Sequence, residues 1–386
     1  MNPSLRNPSD FFVEEVPLYE PSGSGDHCLF WIEKSGISTP EAIRRLARAL
    51  GRRDADFGYA GLKDAASTSR QTLSLKDLTP AVALSLDVSG LKVLRADLHS
   101  KKVRAGHLAG NRFRIRIGKR TDLERKEITE RLERLHRDGL PNAYGVQRFG
   151  QGGGNAVLGK AILQADWDQF VAILLGEGTD ADSPRTADAR EAARGGDYGR
   201  AHTAFPPSLV PERAASKALA RGADPQIAVR AIPRRFRQFY LSALQSLLFN
   251  RLLELRLPQI NEPFEGDLAY LHRNGACFVI QDPTAERPRI ESFEISISGP
   301  IYGYKMKWPE RQAREMEEQV LSDEHLEAEG FRIGGGLSQK GSRRSLRAPV
   351  EEAALFEEGG DWHLRFRLPK GSYATSLLEA LGLPAG

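Results

Sequence analysis

Strand patterning at both ends of this chain brackets a helix-rich middle, which points to one domain inserted into another. Near the start, residues 10–16 and 27–33 read as strands joined by a Pro, Gly and Ser turn region. Residues 111–118 alternate strictly, with Phe113, Ile115 and Ile117 against Arg112, Arg114 and Arg116. A period of two predicts a half-buried strand with a basic outer face. Residues 362–368 return to strand patterning near the end, before a short helix to Leu381. Between the ends, residues 239–255 are the most apolar long stretch, but Arg251 and Glu254 interrupt it, so it reads as a buried helix. Strand-like pieces follow at 276–280 and 293–297, then a charged helix at 309–320. With 386 residues, the chain is long for a single compact core.

Local signals refine this outline. Thr39 as N-cap and Pro40 at the first position open a helix that puts Ala42, Ile43, Leu46, Ala47 and Leu50 on one face, and Gly51 stops it. Thr121 and Glu124 form a capping box for a second helix with Ile128, Leu132 and Leu135 inside, ended by Gly139. Residues 176–199 are rich in Asp, Ala, Arg and Gly and read as a mobile surface insertion.

Net charge is only +4, so clustering matters more than the total. Residues 100–120 contain no acid and carry Lys101, Lys102, Arg104, Arg112, Arg114, Arg116, Lys119 and Arg120. Such a run suits phosphate, and a solvated strand face explains it equally well. Two distant cysteines, Cys28 and Cys277, argue against a disulfide framework or thiolate zinc site and fit a reducing cytoplasm. Residues 1–6 show no apolar signal core. The glycines at 152–154 and 334–336 lack the Lys-Ser/Thr ending of a phosphate loop, and the eight histidines show no short metal spacing.

Against this basic background one acid stands out. Asp64 lies in Gly61-Leu-Lys-Asp64, flanked by Lys63 and Arg70. A carboxylate repels phosphate, so a simple phosphate grip has no use for it, whereas an enzyme acting on a nucleotide can need it. Taken alone, Lys63-Asp64 is as readily a turn cap or a surface pair.

Several separated motifs set that acid in context. They are Asn7-Pro-Ser-Asp-Phe-Phe-Val13 with Gly23-Ser-Gly-Asp-His27, and Gly58-Tyr-Ala-Gly-Leu-Lys-Asp64 with Ala66, Thr68 and Gln71. Gly110-Asn-Arg-Phe113, residues 139–150, Ser242-Ala-Leu-Gln-Ser246 with Leu248-Phe-Asn250, and Gly371-Ser-Tyr-Ala-Thr375 complete the set. In type and order they resemble the TruD family of tRNA pseudouridine synthases. The resemblance implies an α+β fold: a mixed, largely antiparallel catalytic sheet domain split by an inserted α/β domain, with a cleft between. It implies residues 1–154 and 340–386 for the catalytic domain and 155–339 for the insertion. It further implies catalysis by Asp64 on uridine 13 of tRNA, with no metal and no cofactor. Tyr373 stands where the family often has Phe.

The remaining expectations combine residue chemistry with that resemblance. Lys63 or Arg70 supplies a cation beside Asp64. Asn111 and Phe113, two apart on a strand, face the same side. Asn111 can bond the base edge, and Phe113 can stack on uracil for about 1–3 kcal/mol. Periodicity alone would instead make Phe113 core beside Ile115 and Ile117. Phe11 and Tyr373 are further aromatic contacts, with plain strand core as the alternative. Arg148 contacts RNA or braces Asp64 through a bidentate bond. Lys101, Lys102, Arg104, Arg112, Arg114 and Arg116 are assigned to the RNA backbone. Arg234, Arg235 and Arg237 either line a second RNA-facing wall or simply begin a charged helix. The expected partner is tRNA, with no membrane and no obligate protein partner, and the chain is expected to be a cytoplasmic monomer. Two other readings remain open: a non-catalytic tRNA-binding or folding protein, and a nucleoside-cleaving enzyme.

Overall fold

The structure is a computed structural model that describes residues 7–118, 123–150, 153–178 and 182–384. The chain forms two compact units, Met1–Leu140 with Ala348–Gly386, and Pro141–Arg347. The expected boundaries near 154 and 339 both fall within the second unit. Residues 142–150 belong there because Asn142 and Tyr144 bond within it, the Tyr144 N–H to Asn250 Oδ1 at 2.8 Å and the Asn142 N–H to the Leu346 carbonyl at 2.8 Å.

The first unit begins with β1 (Phe11–Pro17), β2 (His27–Ser35), α1 (Thr39–Leu50), β3 (Gly58–Tyr59) and β4 (Thr68–Lys76). It continues with α2 (Pro80–Leu84), β5 (Leu91–His99), β6 (Leu108–Arg116) and α3 (Arg125–Asp138). After the second unit the chain returns as strands Glu351–Glu358 and Asp361–Pro369 and the helix Ala374–Ala380. One sheet takes the order Glu351–Glu358, Asp361–Pro369, β6, β1, β4, β2, β5, with β3 alongside β4. Only β1 and β4 pair in parallel, Val13 opposite Ser69, among the described strands of this sheet.

Two hydrophobic clusters cover one face of that sheet. Phe30, Ile32, Leu73 and Leu75 pack with Ile43 and Leu46 of α1. Phe113, Ile115, Leu364 and Phe366 pack with Ile128 and Leu132 of α3 and Leu377 of the last helix. Strand register puts Glu15, Lys34, Ser69, Gln71 and Asn111 on this same face. A polar strip on a face otherwise given to core marks it as something other than packing.

Two local expectations are corrected. Ser38, not Thr39, caps α1, its side chain accepting from the Glu41 N–H. Thr39 is helical and its hydroxyl is engaged elsewhere, as described below. Helix α3 has Glu124 at its N-cap without a side-chain cap bond, and Thr121 of the expected capping box lies outside the described residues.

In the second unit the long helix runs Arg234–Arg256, longer than the apolar stretch alone suggested. Its first half packs Tyr240 and Leu241 among six shorter helices between Gly154 and Ala231. Its second half lays Leu248, Phe249 and Leu252 on an antiparallel sheet of Ser342–Ser345, Ile295–Ile301, Leu268–Leu271 and Cys277–Val279. Gly159 permits the close helix crossing, since a Cβ there would collide with the Tyr240 carbonyl oxygen. Residues 176–199 include the whole of the helix Pro184–Arg194, with Ala189, Ala192 and Ala193 buried. Composition suggested a mobile surface insertion there because alanine, the residue that does the packing, is also common in low-complexity sequence. Among the described residues no helix is long and apolar enough to cross a membrane.

Candidate active site

Asp64 lies on the loop between β3 and β4, with its side chain exposed. The peptide that carries it is held from beneath. The Thr39 hydroxyl accepts from the Lys63 N–H at 2.8 Å, while the Thr39 N–H donates to the Lys63 carbonyl at 3.1 Å. The same hydroxyl donates to Gln71 Oε1 at 2.8 Å. Lys34 Nζ donates to the carbonyls of Ile37, Lys63 and Asp64 at 2.6, 3.3 and 3.0 Å. Ser67 Oγ adds a bond to the Asp64 carbonyl at 3.2 Å. A backbone this well satisfied leaves the carboxylate aimed outward with little freedom in the chain beneath it.

The two cations expected beside Asp64 each pair with another carboxylate. Lys63 is 8% exposed and points inward, its Nζ 3.5 Å from Glu15 Oε2. Burial lowers the Lys63 pKa and raises that of Glu15, each offset in part by the other's charge. Arg70 lies on the opposite sheet face, paired with Glu33 at 2.8 Å and Glu14 at 3.5 Å. Consecutive residues on extended chain point apart, so the lysine adjacent in sequence is turned away from the acid. The cation that does meet the Asp64 backbone is Lys34, which sequence reading missed. One signal was available: Lys34 continues the inward period of Cys28, Phe30 and Ile32 along β2.

Asn111 and Phe113 do share the inner face, opposite Glu15 and Val13. Asn111 Oδ1 is buried without a hydrogen-bond partner. Phe113 is 7% exposed, stacked on Phe366 at 5.1 Å and edge-on to Phe11 at 6.2 Å. Its ring is part of the core cluster, and Phe11 packs against that cluster half-buried. Tyr373 is 40% exposed, at the N-cap of Ala374–Ala380.

Two further loops adjoin the Asp64 loop. The Gly106 N–H donates to the Ala60 carbonyl at 2.8 Å, and Lys370 Nζ to the Gly106 carbonyl at 3.3 Å. Gly58 makes the first approach possible, because a Cβ there would strike the Val103 carbonyl oxygen and Ser74 Oγ. Gly106 is therefore bonded both to Ala60, four residues before Asp64, and to Lys370, three residues before Tyr373.

The basic run divides in two. Lys101 and Arg104 are exposed and make no ion pair among the described residues, while Lys102 Nζ bonds the Ala55 carbonyl at 3.0 Å. On β6, Arg112 pairs with Glu352 at 2.9 Å, Arg114 with Glu358, and Arg116 with Asp361 at 2.8 Å and Asp10 at 3.3 Å. The strand that looked most basic in sequence is thus neutralised across the sheet. Lys119 and Arg120 lie outside the described residues.

In the second unit, Arg148 donates to Ser242 Oγ at 2.5 Å and Ser246 Oγ at 3.3 Å. Its guanidinium also covers Tyr144 and Phe239. These donors go to hydroxyls of the long helix. Arg237 donates to the Ile232 carbonyl at 3.0 Å, and burial with the charges of Arg230 and Arg234 holds its pKa below the usual arginine value. No group of three His, Cys, Asp or Glu suited to a metal occurs among the described residues.

Comparison with known proteins places this geometry. The family model for tRNA pseudouridine synthase D (TruD) matches residues 4–381. A tRNA pseudouridine synthase D from Geobacter sulfurreducens is 45% identical over 96% of this chain and 91% of its own length. One from Thermus thermophilus is 34% identical over 96% of this chain and 86% of its own. A crystal structure described as tRNA pseudouridine synthase D (TruD), from Methanosarcina mazei, has a TM-score of 0.81 at 25% identity, covering 99% of this chain and 93% of that one.

Proposed function

This chain belongs to the tRNA pseudouridine synthase D (TruD) family and is a pseudouridine synthase, and we propose that it isomerises uridine 13 of tRNA through Asp64. The reaction breaks the N1–C1′ bond, turns the uracil, and joins C5 to C1′. The C5 proton is lost and N1 gains one, so nothing is consumed. The carboxylate serves either by attacking C1′ or by taking the C2′ proton, and both roles need it ionised and within reach.

One observation carries this reading: an exposed carboxylate on a backbone pinned by Lys34, Thr39 and Ser67. Pre-set geometry of this kind lowers the entropy cost of reaching the reactive arrangement. Asn111 contributes a free buried acceptor for the N3–H edge of uracil, and Tyr373 an exposed ring for a base taken out of the stack. With tRNA as substrate, the reaction belongs in the cytoplasm. The test is pseudouridine mapping on an unmodified tRNA transcript. A new pseudouridine at position 13 supports the assignment, and modification only at another uridine removes it.

The exposed cations Lys101 and Arg104 should govern the salt dependence of binding. Replacing Lys101 and Arg104 together by Ala is expected to reduce the log–log salt slope of tRNA affinity by about 1–2. Replacing Arg112 alone should change it by less, because its charge is already countered by Glu352. Binding measured across a salt series checks both, and equal slopes for all three proteins would refute the division of the basic run.

A further inference from the structure

We infer that Lys34 is a positioning residue that sets the Asp64 peptide for catalysis, an assignment resting on Asp64 being the reacting carboxylate. Lys34 is 1% exposed at the inner end of β2. An ammonium has three donors, and here they meet three carbonyls, those of Ile37, Lys63 and Asp64. It makes no ion pair with a carboxylate among the described residues. Burying a charge without a carboxylate partner is costly, and an apolar side chain would serve the sheet core better. The acceptor set accounts for the charge. Two of the carbonyls lie on either side of the Asp64 α-carbon, and the third immediately precedes Ser38, the cap of α1. One nitrogen therefore ties the Asp64 backbone to the start of α1, beside the reciprocal Thr39–Lys63 bonds. That fixes the direction in which the Asp64 carboxylate leaves the chain.

The charged groups facing Lys34 are Asp64 and Lys63, both from the loop, and Lys63 is itself engaged by Glu15 of β1. The other packed elements face it with uncharged groups: Ser69 of β4, Leu91 of β5 and Thr39 of α1. Burial lowers the Lys34 pKa to about 8, with Asp64 opposing the shift and Lys63 adding to it. Above that pH the neutral amine has two donors and a lone pair facing three carbonyls, so the anchor fails. At limiting RNA, kcat/KM reports the free enzyme, and it should fall as pH rises through about 8.

The experiment compares the full chain with Lys34→Met and Asp64→Asn on an unmodified tRNA transcript. Single-turnover rate, tRNA affinity and the pH profile of kcat/KM from about pH 6 to about 9.5 are measured. The assignment predicts that Lys34→Met slows the saturated rate about 100-fold, keeps affinity within about threefold, and loses the alkaline limb. A native profile flat to about pH 9.5 overturns it even if Lys34→Met does not fold. A parallel loss of rate and affinity overturns it too, by making Lys34 a general structural residue. If Asp64→Asn is inactive and Lys34→Met retains its rate within about threefold, only the Lys34 assignment falls. An active Asp64→Asn removes the Asp64 reading and this one with it.

Discussion

Replacing Asp64 by Asn is expected to reduce pseudouridine formation by at least about 10⁴-fold, roughly 5 kcal/mol of transition-state stabilisation. The size follows from the chemistry, since the amide is neither a nucleophile at C1′ nor a base for the C2′ proton. Folding should be almost unchanged. The side chain is exposed and makes no ion pair among the described residues, and the bonds that hold the loop use the Asp64 backbone carbonyl, which Asn retains. Affinity for tRNA should stay the same or rise slightly, because a negative charge among phosphates is removed. Single-turnover mapping at saturating enzyme separates the two effects. A variant keeping a tenth or more of the native rate would take the reacting role from Asp64.

Phe113→Ala should cost about 3–5 kcal/mol of folding stability, the ordinary result of deleting a buried aromatic ring. The ring is stacked on Phe366 and edge-on to Phe11 within a cluster closed by α3 and the C-terminal helix. Urea unfolding gives the cost directly. Phe113→Leu, which retains much of the apolar volume, should lose far less stability. If the ring also contacts the uracil, Phe113→Leu will weaken KM for tRNA out of proportion to its folding cost. A stability loss under about 1 kcal/mol for Phe113→Ala, with a large rise in KM, would show a ring working in the site and not in the core.

These two residues illustrate what could be read from the chain. Period-two alternation placed Phe113, Ile115 and Ile117 on one face correctly, because strand geometry leaves no other choice. The same alternation put Arg112, Arg114 and Arg116 together on the other face, but it carried no information about what lies across the sheet. Their partners Glu352, Glu358 and Asp361 are more than 200 positions away and become neighbours only when the last two strands join β6.

Sequence alone determined the local rules: which residues alternate, where Pro40 and Gly51 bound a helix, and that the acid Asp64 lies between the bases Lys63 and Arg70. The ordered motifs determined the family, since several weak signals in a fixed order are together specific. Tertiary structure decided which charges meet. Lys63, adjacent to Asp64 in the chain, turns inward to Glu15, and Lys34, 30 positions away, reaches the Asp64 peptide instead. The reason is physical: electrostatic energy depends on distance through space and on burial, and both are set by strand pairing.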